Sequence, residues 1–271
     1  VTDGATKKSE SVRSEWKEKI AEEVEGVPVP KGFIYKEGTK DTGLVIQDEK
    51  GNEFVWVPAT ESTYRKDTSF SGTKPTGDDT LPNGITNETA DVVKYGGFYI
   101  GRYEAGIPKG DTSPSNKIGI PVSKKDATVW TNINYTNAKA NAESMINNEY
   151  VQTGLLTGTA WDTVCHWIKS DDELKDSRTY GNYNNSESPA NVTGYGTKQV
   201  AGYSDKWMVK NIYDLAGNVW EWTSEAYSSK LGNRGGGCGN DGSGYPVSCR
   251  GSISASDQND FVGFRSRLYI K

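Results

Sequence analysis

The stretch 211–223, NIYDLAGNVWEWT, limits the fold more than any other part of the sequence. Trp220 and Trp222 flank Glu221, so an extended chain sends both indoles to one side and the carboxylate to the other. Gly217 and Asn218 are a turn pair, and Asp214 and Glu221 lie seven residues apart across it. Two readings stand side by side. One is an aromatic strand in a core with a Gly-Asn hairpin turn. The other is a set of carboxylate and main-chain oxygens of the kind a hard cation such as Ca²⁺ selects.

Composition supports a rigid, loop-rich chain. Eight Trp and fifteen Tyr stand against two Met and one His, and thirty-one Gly supply many turns. At 271 residues the chain allows one large domain or two small ones. A net charge of -5 leaves no basic excess to neutralise phosphates, so nucleic acid is not the expected partner. No apolar run is long enough to cross a membrane. The chain starts at Val1 without a signal peptide, so a segment removed upstream is expected. Three Cys cannot form a complete disulfide framework, which leaves a Cys238–Cys249 bridge open. A single His supplies metallohydrolase or His-triad chemistry poorly.

Val12, Trp16, Ile20 and Val24 recur every four residues on a charged background, which predicts an amphipathic helix within 1–25, stopped by Gly26, Pro28 and Pro30. GLVIQD and EFVWVPA read as strands joined by a hairpin at EKGN, and residues 60–94 as a long surface loop. GGFYIGRYEAG reads as another strand, and Glu104 at its end is either a buried partner for an arginine or the strand's exit. Residues 132–150 predict a helix capped by Thr136 or Asn137. A second helix is predicted within 159–169, with Trp161, Val164, Cys165 and Ile168 at core spacing. Cys165 and His166 would stand about 100° apart on it, too far round to act as nucleophile and base. Residues 170–206 return to loop, and FVGFRSRLYIK closes the chain as a strand.

GFYIGRYEAG, GLLTGTAWDTVCHW, NIYDLAGNVWEWT and RGG…CRGS…VGFR, in this order, resemble the formylglycine-generating-enzyme/sulfatase-modifying-factor family over residues 32–271. The resemblance implies one α+β domain over 26–271, a C-type lectin-like fold with a small twisted antiparallel sheet, two main helices and long loops. It implies a structural calcium at the LAGNVWEW turn, held by the side chains of Asp214 and Glu221 and the carbonyls of Gly217 and Val219. The family's enzymes bind copper with a closely spaced pair of C-terminal cysteines and oxidise a substrate cysteine. Here ten residues, GNDGSGYPVS, separate Cys238 from Cys249. Thiolates must converge to about 2.3 Å from a soft metal, so the chain is expected not to be an enzyme.

The same fold is shared by variable proteins diversified by retroelements, whose C-terminal segment is rewritten at template adenines. Asn codons changed in that way cannot encode Lys, Glu, Gln, Met or Trp. Residues 233–263 contain no Lys, Glu, Met or Trp and one Gln, Gln258, whereas the rest of the chain is rich in Lys and Glu. The sequence is most similar to this branch. The resemblance implies a variable region over 233–263 and a ligand-binding surface made from Cys238, Asn240, Asp241, Tyr245, Cys249, Gly251, Ile253, Asp257, Asn259, Asp260 and Phe261. Tyr245, Ile253 and Phe261 would be its apolar anchors. The expected partner is a protein or glycan on another cell or virus surface, with no nucleic acid, and with a membrane only through a segment absent from this chain. The run EGVPVPKGFIYKEGTKDTGLVIQDEKGNEFVWVPA resembles surface proteins of Firmicutes and their phages, so the expected location is extracellular or cell-surface, on a pilus or a phage particle. A formylglycine-generating-type copper oxidase and a non-catalytic pilus or tail subunit are the alternatives.

Overall fold

The computed structural model describes residues 18–111, 114–187 and 190–271. A hairpin opens it, β1 (Ile20–Val24) and β2 (Val27–Pro30), turned by Glu25 and Gly26 in left-handed conformations. The helix expected within 1–25 is therefore wrong over residues 20–24, and residues 1–17 lie outside the described residues. A four-residue spacing such as Ile20 to Val24 fits a helix and a strand alike, and pairing with β2 decides between them.

Three strands follow: β3 (Phe33–Glu37), β4 (Val45–Asp48) and β5 (Glu53–Pro58). The stretch expected as loop ends in a helix, α1 (Glu88–Tyr95). The Asn87 side chain accepts from the Ala90 N–H at its start, and left-handed Gly96 closes its end. β6 (Gly97–Gly101) leads to α2 (Tyr135–Ser144), capped by Asn134 rather than by Thr136 or Asn137. After β7 (Val151–Leu155) comes α3 (Gly158–Ile168), capped by Thr157 and burying Trp161, Val164, Cys165 and Ile168. The short strands β8 (Met208–Val209) and β9 (Ile212–Tyr213) precede β10 (Trp220–Tyr227) and β11 (Lys230–Arg234). β12 (Arg250–Ser254), β13 (Val262–Phe264) and β14 (Ser266–Ile270) complete the chain.

The architecture is α+β. An antiparallel sheet of six strands runs β3-β4-β5-β6-β14-β7, with the last strand inserted between β6 and β7. Its alternating residues build two core layers. Val45, Val55, Val57 and Ile100 meet Trp161 and Val164 of α3, while Ile46, Phe54, Trp56 and Tyr99 meet Val27 and Val29 of the opening hairpin. Each fully buried large side chain here contributes on the order of 2–3 kcal/mol.

A second sheet, β12-β11-β10-β13, carries the site. β10 pairs antiparallel with β11 and parallel with β13. The closing strand expected over 261–271 is thus two strands in two sheets, with Arg265 between them. Gly217 and Asn218 do not form a hairpin turn, because β9 pairs with β8 and not with β10.

Candidate ligand-binding groove

The segment before β10 is held by left-handed Gly217 and Asn218. A Cβ at Gly217 would stand 2.1 Å from the Asn182 carbonyl oxygen, so this close approach requires glycine. Asn218 donates from Nδ2 to Glu104 Oε2 (2.6 Å), and its Oδ1 accepts from Asn182 Nδ2 and the Gln199 N–H. Beyond the turn, Trp220 and Trp222 share one face of β10 against α2 and Phe264, and Glu221 takes the other face. Both Glu221 oxygens accept from Arg265: Nε at 3.2 and 3.0 Å, and Nη2 at 2.7 Å to Oε1.

Glu104 lies beside this pair, fully buried and attracted by Arg265, with Oε1 unpartnered, so it is not an exposed strand exit. Asp214 accepts from the Gly202 N–H through Oδ2, and its buried Oδ1 has no partner. Burial pushes the Asp214 carboxyl up to about 7, against the pull of the Gly202 N–H and Arg265. Burial also raises Glu104, with Asp214 and Glu221 adding to it, and raises Glu221 against the attraction of Arg265. Of the ligand set expected for calcium, Asp214, Gly217, Val219 and Glu221, the Glu221 carboxylate is already bonded by the Arg265 guanidinium, while Asp214 keeps one oxygen unpartnered. Among the described residues no group of three or more His, Cys, Asp or Glu is placed to hold a metal ion.

A second ionic layer lies under β11 and β12. Asp162 of α3 and Glu225 of β10 face Arg234 and Arg250, all four fully buried. Asp162 Oδ1 accepts from Arg234 Nη2 (2.5 Å), and Oδ2 accepts from Arg250 Nη2 and from the Asp67 N–H (2.8 Å). Arg250 Nη1 donates to the Asp67 carbonyl (2.7 Å), the Arg250 N–H to the Ser71 carbonyl, and the Thr73 N–H to the Arg250 carbonyl. Residues 67–73 are in this way strapped along the edge of β12.

Above that layer opens a groove of about 720 Å³. Trp220, Tyr245, Ile253, Phe261 and Val262 give it apolar walls, and Gly237, Gly239 and Gly251 leave room between them. Tyr245 stands edge-on to Trp220 with centroids 6.0 Å apart. Tyr245 and Phe261 are 46% and 47% exposed, as side chains aimed at a partner would be. Seven of the expected binding residues line it: Asn240, Tyr245, Cys249, Gly251, Ile253, Asn259 and Phe261.

The other four do not. Cys238 is buried in the frame, its N–H bonded to the Asn218 carbonyl. Asp241 is exposed and accepts from the Ser243 and Gly244 N–H groups, and Asp257 accepts from the Ser254 N–H. Asp260 is taken by Lys198 and Asn132. Sequence reasoning missed Gly72, Thr73 and Asn233, which also line the groove. Nothing in the 60–94 segment marks Gly72 and Thr73 in advance. Asn233 carried one signal, its place at the start of the 233–263 segment.

All three cysteines are free. Cys238 senses Glu104 and Lys198, whereas Cys249 lies by Ser71, Arg234 and Arg250, so the two sulfurs have different surroundings. Burial pushes both thiols up, and that of Cys165 to about 12, which keeps them protonated at neutral pH.

Paired sheets flanked by short helices, with a loop-built groove on the smaller sheet, define an α+β protein of the C-type lectin-like class. Residues 44–268 match the model of the sulfatase-modifying factor enzyme 1-like domain, and the chain belongs to that family. No curated protein matches it. Among solved structures it is similar to Treponema denticola variable protein 1, at 17% identity and a TM-score of 0.44, covering 80% of this chain and 95% of that one. It is also similar to PvdO from Pseudomonas aeruginosa, at 17% identity and a TM-score of 0.47, covering 87% of this chain and 100% of that one. For CarF the values are 15%, 0.40, 74% and 97%.

Proposed function

We propose that this chain is a non-catalytic ligand-binding protein displayed at a cell or particle surface, and that its groove is the face diversified by a retroelement. One observation carries the reading. Six side chains and Gly251, all from the segment free of Lys, Glu, Met and Trp, converge on one open groove. The main chain beneath them is fixed by residues whose side chains point elsewhere. Tyr245, Ile253 and Phe261 act as anchors, and the partner is a protein or glycan on another cell or virus. The high thiol pKa values and separate surroundings of Cys238 and Cys249 count against copper-dependent thiol oxidation.

Arg265 fills the role that calcium was expected to play, neutralising Glu221 from within the chain. Melting in EDTA and in millimolar calcium should coincide, and a rise of several degrees with calcium would reverse that assignment.

The functional test has two arms. DNA beside the gene should hold a reverse transcriptase and a near-copy of the 233–263 coding segment that differs only at adenines. The purified chain should bind a cell-surface fraction, and the triple variant Y245A/I253A/F261A should lose that binding while melting normally. Without such a near-copy, the diversification reading fails. If the triple variant binds undiminished, the groove is not the binding face.

A further inference from the structure

We infer that Thr131, Asn132 and Lys198 form a carboxylate site at the rim of the groove, filled in this chain by Asp260 from within, and that a chain without an acid at 260 offers it to an Asp or Glu side chain of a protein partner. The inference rests on the groove being the binding face proposed above.

The three donors lie outside the 233–263 segment and meet on one oxygen. Asp260 Oδ1 accepts from Lys198 Nζ (2.5 Å), Asn132 Nδ2 (3.0 Å) and Thr131 Oγ1 (3.4 Å). Asp260 stands between Asn259 and Phe261, which both line the groove, and Lys198 Nζ lies 6.0 Å from the centre of the Phe261 ring. The hydrogen bond from Lys198 holds the Asp260 carboxyl below the ordinary carboxylate value. The Asp260 side chain is nonetheless 55% exposed, so the place it occupies is within reach of a partner.

The donors are held in position by ties that do not involve the Asp260 side chain. Thr131 is fully buried. Asn132, in a left-handed conformation, donates its N–H to the Asn259 carbonyl (3.0 Å). The main chain is fixed on both sides of Lys198: the Thr197 carbonyl accepts from Asn182 Nδ2 (2.9 Å), and the Gln199 N–H donates to Asn218 Oδ1 (2.9 Å). A lysine ammonium has three N–H groups. Lys198 gives one to Thr131 Oγ1 (3.1 Å) and one to the Asp260 main-chain carbonyl (2.9 Å), and both acceptors remain whatever side chain stands at 260. Without the acid, the third N–H and the Asn132 amide face the place a carboxylate has left. Position 260, within the diversified segment, thus decides whether a site belonging to the frame is closed from within or open to the partner.

A cation with a neighbouring amide donor favours a carboxylate, because hydrogen bonds to an ionised acceptor are the stronger kind. The occupant seen here is an aspartyl side chain, a carboxylate on a short flexible stem. A partner's Asp or Glu reproduces that form, whereas a carboxylate set on a sugar ring brings the ring into the same space.

The test titrates the whole chain and its D260A, D260N and D260A/K198M variants with acetate against chloride at constant ionic strength. NMR follows the Asn132 side-chain amide and the N–H groups of 131, 132 and 261. D260A should bind acetate about tenfold more tightly than the other three, the ratio expected for one hydrogen bond to a charged group. The wild-type carboxylate and the D260N amide still fill the site, and K198M removes its charge. Equal acetate binding by D260A and D260A/K198M, or chloride acting as acetate does, would mean an adventitious ion only and overturn the inference. Absence of acetate binding to D260A also overturns it. Tighter binding of N-acetylneuraminate than of acetate to D260A would make the ligand an acidic sugar and overturn the assignment to a protein side chain. D260G takes the place of D260A should the latter fail to fold. Each of these outcomes leaves the groove as a binding face, which the triple variant Y245A/I253A/F261A judges separately.

Discussion

Asp162 bears the greatest share of the ionic layer under the groove, and Asp162→Asn tests it with almost no change in shape. Its two oxygens face three donors: Arg234 on one side, Arg250 and the Asp67 N–H on the other. An asparagine has one oxygen and an NH₂ group. Whichever way it turns, a donor meets a donor, and Arg234 and Arg250 then share Glu225 as their remaining carboxylate. Removing one partner from a fully buried pair costs about 3–5 kcal/mol. For a chain of this size each kcal/mol shifts the melting point by about 2–4 °C, so the variant should melt roughly 6–20 °C lower. Thermal and urea unfolding followed by circular dichroism would measure it. Hydrogen exchange should rise most at residues 67–73, since their tie to Asp162 and Arg250 is loosened. A loss below about 1 kcal/mol would refute the reasoning, because it would mean the two arginines are compensated without Asp162.

Further outcomes follow from the same side chains. The folded Asp214 pKa of about 7 lies above the ordinary carboxylate value, so its contribution is complete below pH 4 and is lost as pH rises through 7. Between pH 5 and 7 this is on the order of 2 kcal/mol, and D214N should flatten the corresponding change in melting temperature. A slope unchanged in D214N would assign the effect to another group. Iodoacetamide at pH 7.5 should label none of Cys165, Cys238 and Cys249 in the folded chain and all three in urea, read by mass spectrometry. Rapid labelling of Cys249 alone would mean that its thiol is ionised within the groove. The single variants Y245A and F261A, removing nearly half-exposed rings, should each change stability by no more than about 0.5 kcal/mol.

Local periodicity made much of the fold readable. β4, β5, β6 and α3 lie where the apolar pattern put them, because those segments bury alternate or i,i+3/i+4 residues in one layer. Helix α1 was missed although Asn87 and Gly96 cap it, since ETADVVKY buries only Val92 and Tyr95 as apolar side chains and reads as a polar loop. The final strand was read as one because nothing in VGFRSRL announces that Arg265 turns inward to Glu221 and hands the chain from one sheet to the other. Long-range charge pairs were the least legible. Arg234 and Arg250 were visible as fixed points of RGG and CRGS, yet their partner Asp162 lies 72 and 88 residues away. The groove was half legible for the same reason: composition identified the segment, while Asn233 and the 71–73 strap come from neighbours brought in by the sheet.

Tolerance of sequence change in a binding segment depends on what fixes its main chain. Here the ties are mostly indifferent to the side chain at the tied position. The Asn240 carbonyl accepts from the Asn184 N–H, the Tyr245 N–H donates to the Asp241 carbonyl, the Asn259 carbonyl accepts from the Asn132 N–H, and the Phe261 carbonyl accepts from the Trp220 N–H. Replacing the side chains at 245 or 261 leaves each of these bonds available, whereas replacing Arg234 or Arg250 removes charges that compensate the buried Asp162 and Glu225. Asn240 stands between the two classes, because its side chain also orients the Trp220 indole and the Gly237 N–H. Within a single stretch of sequence, then, some positions carry the frame and others face the groove, and the division follows the direction of each side chain rather than its place in the chain. A segment built this way can change its groove surface repeatedly while the sheet beneath it keeps one conformation.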